Sequence, residues 1–256
     1  MTIDFEGAKI NFSSEGEGNP LVLLHGFLED IRIWNDLAKE LKKERQVICI
    51  DLPGHGKSEG FSDVHTMAEM ANAVKKVLDE IEVENISIAG HSMGGYVSLE
   101  FLNNFPKMVK SIMLINSTPV DDSVEKKKAR EKAVELVSKN KKAYINMAIP
   151  NLFSRESKVK FCPEIEDLKN RAMKMEVKNI QAALRGMKIR TNHKSLLRSA
   201  SIQKAIVAGE EDPILDFNEL KSIAEECDCN FYATENGHNS YIEDAYNLRK
   251  NMHFID

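Results

Sequence analysis

The stretch IAGHSMGGYV, residues 88–97, sets a single serine among glycines: Gly90, Ser92 and Gly94 form a G-x-S-x-G pentapeptide, with Gly95 beside it. The pentapeptide follows an apolar run, NISIA, and opens a helical one, GGYVSLEFLNN, so Ser92 falls on a strand-to-helix turn. Side chains at 90 and 94 would clash with neighbouring backbone in a turn that sharp, and their absence leaves the hydroxyl standing clear. A hydroxyl so placed is a candidate nucleophile. The free N–H groups of a helix start favour the negative charge that develops when it attacks a carbonyl.

Serine is a weak nucleophile near neutral pH, and imidazole is the side chain suited to take its proton. Of the seven histidines, His238 in ENGHNSYIED is the best placed, on a Gly-containing loop between the last strand and the last helix. The base needs an anion to fix its tautomer. Asp212 in VAGEEDP follows the penultimate strand and completes the chain order Ser, Asp, His. Glu211, its neighbour, and Asp121 and Asp122, after SIMLIN, are the competing carboxylates. For an oxyanion, the Met93 N–H is one donor, and the loop LLHGFLED supplies the second, expected at Phe27. His25 in that loop reads as a brace and His55 in DLPGHGKS as a turn-stabilising residue. His91 reads as a packing residue, because adjacent side chains at a strand end point apart.

These positions need a scaffold that brings residues 92, 212 and 238 to one edge. Residues 1–24 (FEGAKINF, an EGEGNP turn, then LVLLHGF) read as a hairpin feeding a buried strand, and a helix follows at 34–41. VICI in QVICIDLPGHG, NISIA, KSIMLIN and KAIVAG read as further buried strands, and CNFYAT as a weaker last one. Met67, Met70, Val74, Val77, Leu78 and Ile81 recur at helical spacing. Apolar strands alternating with helices imply an α/β fold on a mostly parallel sheet flanked by helices. The alternation stops between Asn116 and Ala205, where helical periodicity continues without a strand; this segment is expected to be a helical cap over one sheet edge. Its apolar residues Ile145, Met147, Ile149, Phe153, Met173, Met175 and Met187 would line an adaptable pocket.

Composition bounds the reading. A chain of 256 residues with 42% hydrophobic and 29% charged residues suits one globular domain with an insertion and excludes a fibrous or disordered chain. No apolar run approaches the ~20 residues that span a bilayer, and MTIDFEGAKINF has no basic start followed by an apolar run, so a cytoplasmic location is expected. Cys49, Cys162, Cys227 and Cys229 are scattered, without the spacing of a metal pair, and read as reduced packing thiols. The net charge of −5 conceals an asymmetry: residues 119–200 hold 20 Lys+Arg against 10 Asp+Glu. This basic block reads as solvated helix faces, or as a surface that attracts an anionic substrate or acidic partner. Its lack of interleaved aromatics, with the negative total, argues against nucleic acid.

The segments PLVLLHGF, VICIDLPGHGKSEG, IAGHSMGG, VAGEEDP and GHNSYIED together resemble the small, capped, cofactor-free members of the α/β-hydrolase fold family. The resemblance covers residues 5–117 and 203–255; between them it rests on position and helical character. It implies a core of residues 1–117 and 203–256 with a cap at 118–202. It also implies Ser92 as nucleophile, His238 as base, Asp212 as orienting acid, Phe27 and Met93 as oxyanion donors, and no metal or cofactor. Serine at 92 departs from the haloalkane dehalogenases and epoxide hydrolases, which use a carboxylate there. The menaquinone-pathway lyase is similar in LLHGF and GHSMGG but typically continues with arginine, where this chain has Tyr96. The carrier-protein methyl ester esterase of biotin synthesis is similar in having a basic cap. The expected reaction is acyl transfer to water from an ester or thioester with a small to medium acyl group, free or carrier-bound. A lyase or C–C bond hydrolase, and a slowly turning-over ligand receptor, would retain the same three residues.

Overall fold

A computed structural model describes residues 1–252; the last four residues of the expected core segment 203–256 lie outside the described residues. The strands are β1 (Thr2–Phe5), β2 (Ala8–Glu15), β3 (Leu21–Leu24), β4 (Val47–Ile50), β5 (Ile86–His91), β6 (Val109–Ile115), β7 (Gln203–Gly209) and β8 (Asn230–Thr234). They form one sheet in the order β1-β2-β4-β3-β5-β6-β7-β8. From β4 to β8 every pairing is parallel, and β1 and β2 add an antiparallel edge. The hairpin closes at Glu6 and Gly7, both at positive φ. The EGEGNP turn does not fold β2 against β3, because β4 lies between them and pairs with both.

Leu21, Val22, Leu23 and Leu24 of β3 are fully buried, as are Ile48, Ile50, Ile86 and Ile88 on either side. Burial on both faces explains the unalternating apolar runs, and each such side chain contributes roughly 1.5–3 kcal/mol by leaving water. Helices α1 (Asn35–Leu41), α2 (Met67–Glu80) and α3 (Met93–Asn104) connect the first strands. In α2 the sequence TMAE is a capping box, in which the Thr66 hydroxyl accepts from the Glu69 N–H and the Glu69 carboxylate accepts from the Thr66 N–H. Its apolar stripe, Met70, Val74, Val77 and Leu78, is fully buried.

Between β6 and β7 the chain is helical: α4 (Val124–Ala148), α5 (Ser157–Lys160), α6 (Cys162–Ala172), α7 (Val177–Lys188) and α8 (Lys194–Ser199). α7 packs along α4. α4 is broken at Asn140, whose side chain accepts from the Ala143 N–H and caps the second half. The basic block divides between surface and interior. Lys127, Lys169, Lys178, Lys188 and Lys194 pair with nearby acids at or near the surface and Arg155 and Arg198 are exposed, whereas Arg130, Arg171 and Arg190 turn inward. After β7 come α9 (Phe217–Glu226), α10 (Ser240–Glu243) and α11 (Ala245–Met252). No described helix is long and apolar enough to cross a membrane. Among the described residues, no group of three His, Cys, Asp or Glu is arranged to hold a metal ion.

Candidate active site

Parallel strands place all their carboxyl ends at one edge, and the loops leaving that edge carry the chemistry. The loop after β3 brings Phe27 and Glu29, the turn after β5 Ser92, the end of β6 Asn116, the loop after β7 Asp212, and the loop after β8 His238.

Ser92 has φ 48° and ψ −113°, a left-handed conformation that costs a side-chain-bearing residue energy and is held by its surroundings. Its N–H donates to the Ile115 carbonyl at 2.9 Å, and its carbonyl accepts from the Ser117 hydroxyl at 2.8 Å. A Cβ added at Gly90 would fall inside the backbone of Gly94 and Gly95, and one at Gly94 would fall against the Leu24 carbonyl. The turn can therefore close on itself and on β3 only with glycine at both positions.

The Ser92 hydroxyl lies 2.9 Å from His238 Nε2, and His238 Nδ1 lies 2.8 Å from Asp212 Oδ2. The Asp212 carboxylate is buried and fully engaged. Oδ1 accepts from the N–H groups of Ile214 (2.8 Å) and Leu215 (3.1 Å), and Oδ2 also accepts from the Asn116 amide at 3.1 Å. Burial raises its affinity for a proton, but the His238 charge and these hydrogen bonds outweigh that, holding the carboxyl below its usual range. Of the competing carboxylates, Glu211 is exposed, Asp121 pairs with Lys127, and Asp122 is held by Arg130 and Arg190.

The N–H groups of Phe27 and Met93 have no acceptor among the described residues. Phe27 and Ser92 line the same cavity, and Met93 is the first residue of α3. His25 ties this loop to the next: Nδ1 bonds the Gly26 carbonyl at 2.8 Å, and Nε2 accepts from the Leu52 N–H at 2.9 Å. His55 bonds the Pro53 carbonyl through Nδ1, and burial pushes its pKa down to about 3, so it is neutral.

Two groups escaped the sequence reading. Asn116 donates to Asp212 and to the Gly237 carbonyl (3.2 Å) and accepts from the Ser240 hydroxyl (2.6 Å), so it braces the loops carrying Asp212 and His238. A polar residue ending the apolar run SIMLIN at the carboxyl edge was its only signal. His91 is more than packing. Its Nδ1 meets Glu29 Oε2 at 3.0 Å and its Nε2 meets the His238 carbonyl at 2.9 Å, two acceptors that together call for an imidazolium. Glu29 also accepts from the Tyr241 hydroxyl (2.8 Å) and the Gly26 N–H (2.6 Å). Burial opposes both charges, yet the mutual attraction and hydrogen bonds prevail, lowering Glu29 to about 2 and raising His91.

The cavity at Ser92 holds about 300 Å³, at the small end of ligand sites. Of the seven apolar residues expected to line it, Met147 and Met187 do. Ile145, Ile149, Phe153 and Met175 are instead buried as packing and Met173 is half-buried against the core, because apolar periodicity alone does not distinguish a helix's core face from its cavity face. Tyr96, Arg130 and Tyr144, unforeseen, supply much of the polar wall.

An eight-stranded, mostly parallel sheet with a serine on a strained turn at its carboxyl edge defines a known class of protein. The chain belongs to the alpha/beta hydrolase fold family, whose sequence model matches residues 19–245. A thermophilic esterase from Thermogutta terrifontis is similar at 26% identity and a TM-score of 0.92, covering 98% of this chain and 94% of that one. The enol-lactonase from Burkholderia xenovorans LB400 shares the fold at 15% identity and a TM-score of 0.92, covering 100% and 99%. Over 114 residues the chain is 40% identical to the dihydrolipoyllysine-residue acetyltransferase component of the acetoin cleaving system of Pseudomonas putida. That match covers 44% of this chain and 31% of the relative, so the chain spans about a third of that protein's length.

Proposed function

We propose that this α/β hydrolase cleaves carboxylic esters or thioesters through an acyl-enzyme on Ser92. The observation that carries the reading is the continuous hydrogen-bonded chain Ser92–His238–Asp212, at 2.9 and 2.8 Å, opening onto a cavity of about 300 Å³. Ser92 Oγ attacks the substrate carbonyl while His238 Nε2 takes its proton, and Asp212 keeps the other ring proton on Nδ1 and stabilises the imidazolium. The tetrahedral oxyanion is met by the N–H groups of Phe27 and Met93, which have no acceptor among the described residues. Collapse breaks the bond to the leaving oxygen or sulfur, which receives the proton from His238. Water, deprotonated by the same imidazole, then attacks the acyl-enzyme and releases the acid and the free serine.

Residues 118–202 act as a cap over this centre and set the acyl group's size, a reading supported by Tyr144, Met147 and Met187 lining the cavity of Ser92. The substrate is a small molecule. A carrier-bound acyl group would have to enter past the exposed Met147.

The test is hydrolysis of p-nitrophenyl esters of increasing acyl length by the wild type and by Ser92→Ala. Activity that disappears in Ser92→Ala, with an optimum at short to medium acyl chains, is expected. Absence of hydrolysis by the wild type would overturn the esterase reading in favour of a lyase, a C–C bond hydrolase or a receptor.

A further inference from the structure

One wall of the cavity carries a charge that the acyl-enzyme chemistry does not use. Arg130 and Arg190 converge on a single buried carboxylate, Asp122. Its Oδ2 accepts from Arg130 Nε, and its Oδ1 accepts from Arg130 Nη2 (3.3 Å) and meets Arg190 Nη1 (2.5 Å). Two guanidiniums on one carboxylate leave one positive charge over. Arg190 gives Nη2 to the Val120 carbonyl at 2.8 Å and Nη1 to the Met187 carbonyl at 3.2 Å, its Nε has no partner among the described residues, and its Cζ lies 4.2 Å from the centre of the Tyr96 ring. Arg130 has no main-chain acceptor among the described residues. Its Nη1 meets only the Met187 thioether at 3.4 Å, a weak acceptor, and the residue lines the cavity that contains Ser92.

Tyr96 and Tyr144 line the same cavity and lie near enough to Arg130 to sense its charge. Both are more than nine-tenths buried, at 8% and 7% exposure, and neither hydroxyl has a hydrogen-bond partner among the described residues. Burial pushes the Tyr144 hydroxyl up to about 12, against the pull of Arg130, so it stays a donor at neutral pH. The hydroxyls, unlike the rings, stay accessible, so each is free to donate to an occupant of the cavity. Leu28, Ala148, Leu152 and Ile214 on the remaining walls offer such an occupant only apolar contact.

Resting on the acyl-enzyme reading above, we infer that the substrate is an ester or thioester of a dicarboxylic acid, its free carboxylate held by Arg130 and by the hydroxyls of Tyr96 and Tyr144. A planar monoanion matches the single surplus charge and the fork of a guanidinium, whereas a dianionic phosphate would leave a negative charge unmatched. The apolar walls hold the methylene chain between the free carboxylate and the scissile carbonyl.

The experiment compares p-nitrophenyl hexanoate with mono-p-nitrophenyl adipate, which differ in a terminal carboxylate, on the wild type, Arg130→Met and Arg130→Lys. The wild type is expected to favour the adipate ester in kcat/KM by roughly tenfold or more, the usual worth of a charge-assisted bidentate contact. Arg130→Met should bring that ratio to about one, chiefly through KM, and Arg130→Lys, which keeps the charge without the fork, should restore part of it. A wild-type preference for hexanoate, or an equal loss on both esters in Arg130→Met, overturns the inference while leaving the esterase reading intact. If the wild type cleaves neither ester the esterase reading falls, and calorimetric binding of monomethyl adipate and methyl hexanoate to Ser92→Ala then decides. Binding of the adipate alone, lost on adding Arg130→Met, supports the carboxylate site; binding of neither, or binding indifferent to Arg130, removes it.

Discussion

Replacing Asp212 by asparagine changes one oxygen for an NH2 group and nothing in shape, which makes it a sharp test of the proposed proton path. The native carboxylate is surrounded by donors: the N–H groups of Ile214 and Leu215 on Oδ1, and the Asn116 amide and His238 Nδ1 on Oδ2. Asparagine has one acceptor oxygen. If that oxygen stays with the two backbone donors, its NH2 group faces Asn116 and His238, and the cheapest relief is to move the imidazole proton from Nδ1 to Nε2. Nε2 then carries a hydrogen where it must accept the proton of Ser92, 2.9 Å away. The productive tautomer loses a charge-assisted hydrogen bond and gains a donor–donor conflict, together about 3–6 kcal/mol, or roughly 10²- to 10⁴-fold. The expected result on a p-nitrophenyl ester is a fall in kcat of that size with KM changed only a few-fold, and an unaltered thermal midpoint would show that the fold survives. A kcat within tenfold of the wild type would refute the reasoning and point to another orienting group.

Three further outcomes follow from the geometry. Gly90→Ala sets a Cβ inside the backbone of Gly94, so the turn must open; a stability loss of about 1–3 kcal/mol or more by denaturant titration, with loss of esterase activity, is expected. Asn116→Ser removes the amide that holds Asp212 and the loop of His238, and kcat should fall by about tenfold at unchanged protein stability to within about 1.5 kcal/mol, read from paired kinetics and melting curves. The Glu29–His91 pair makes stability depend on pH. Glu29 is lowered from 4.5 to about 2, so its contribution is present above its unfolded value and fades as pH falls toward 2. His91 is raised from 6.5, so its contribution is full below 6.5 and fades as pH rises through the folded value. The midpoint advantage of the wild type over Glu29→Gln/His91→Gln should therefore peak between about pH 5 and 6.5 and shrink on both sides; a flat difference would refute the ion pair.

Those elements whose formation is local were legible in the sequence. The apolar runs at 21–24, 47–50 and 86–91 announce strands buried on both faces, and the stripe from Met67 announces α2. The G-x-S-x-G turn carries its own explanation, because glycines 90 and 94 are demanded by contacts within four residues or with the adjacent strand. Chain order supplied Asp212 and His238 once Ser92 was in place, since parallel strands deliver successive loops to one edge. The helices between β6 and β7 were legible as helices, but not in their facing: α4 and α7 pack on each other, and which residues of that contact meet the cavity depends on their mutual rotation.

What stayed hidden is the set of buried ionic and amide contacts between distant segments. Glu29 and His91 are 62 positions apart, Asn116 and Asp212 96, Arg130 and Met187 57. No periodicity links such pairs, and each partner alone has a bland surface reading, as the lysine-rich neighbourhood of Arg130 gave it. Their energetics make them informative nonetheless. A charge enters a low-dielectric interior only with compensation, so an incompletely compensated one marks either a cost to folding or a place kept for a ligand. At Glu29 and His91 the accounts of charge and hydrogen bonds both close within the protein, and the pair reads as a brace under the loop of His238. At Arg130 the charge does not balance: one carboxylate serves two guanidiniums, and two phenols beside it face the cavity with no acceptor among the described residues. The same physics that reads the first cluster as architecture makes the second the place where the proposed carboxylate would bind.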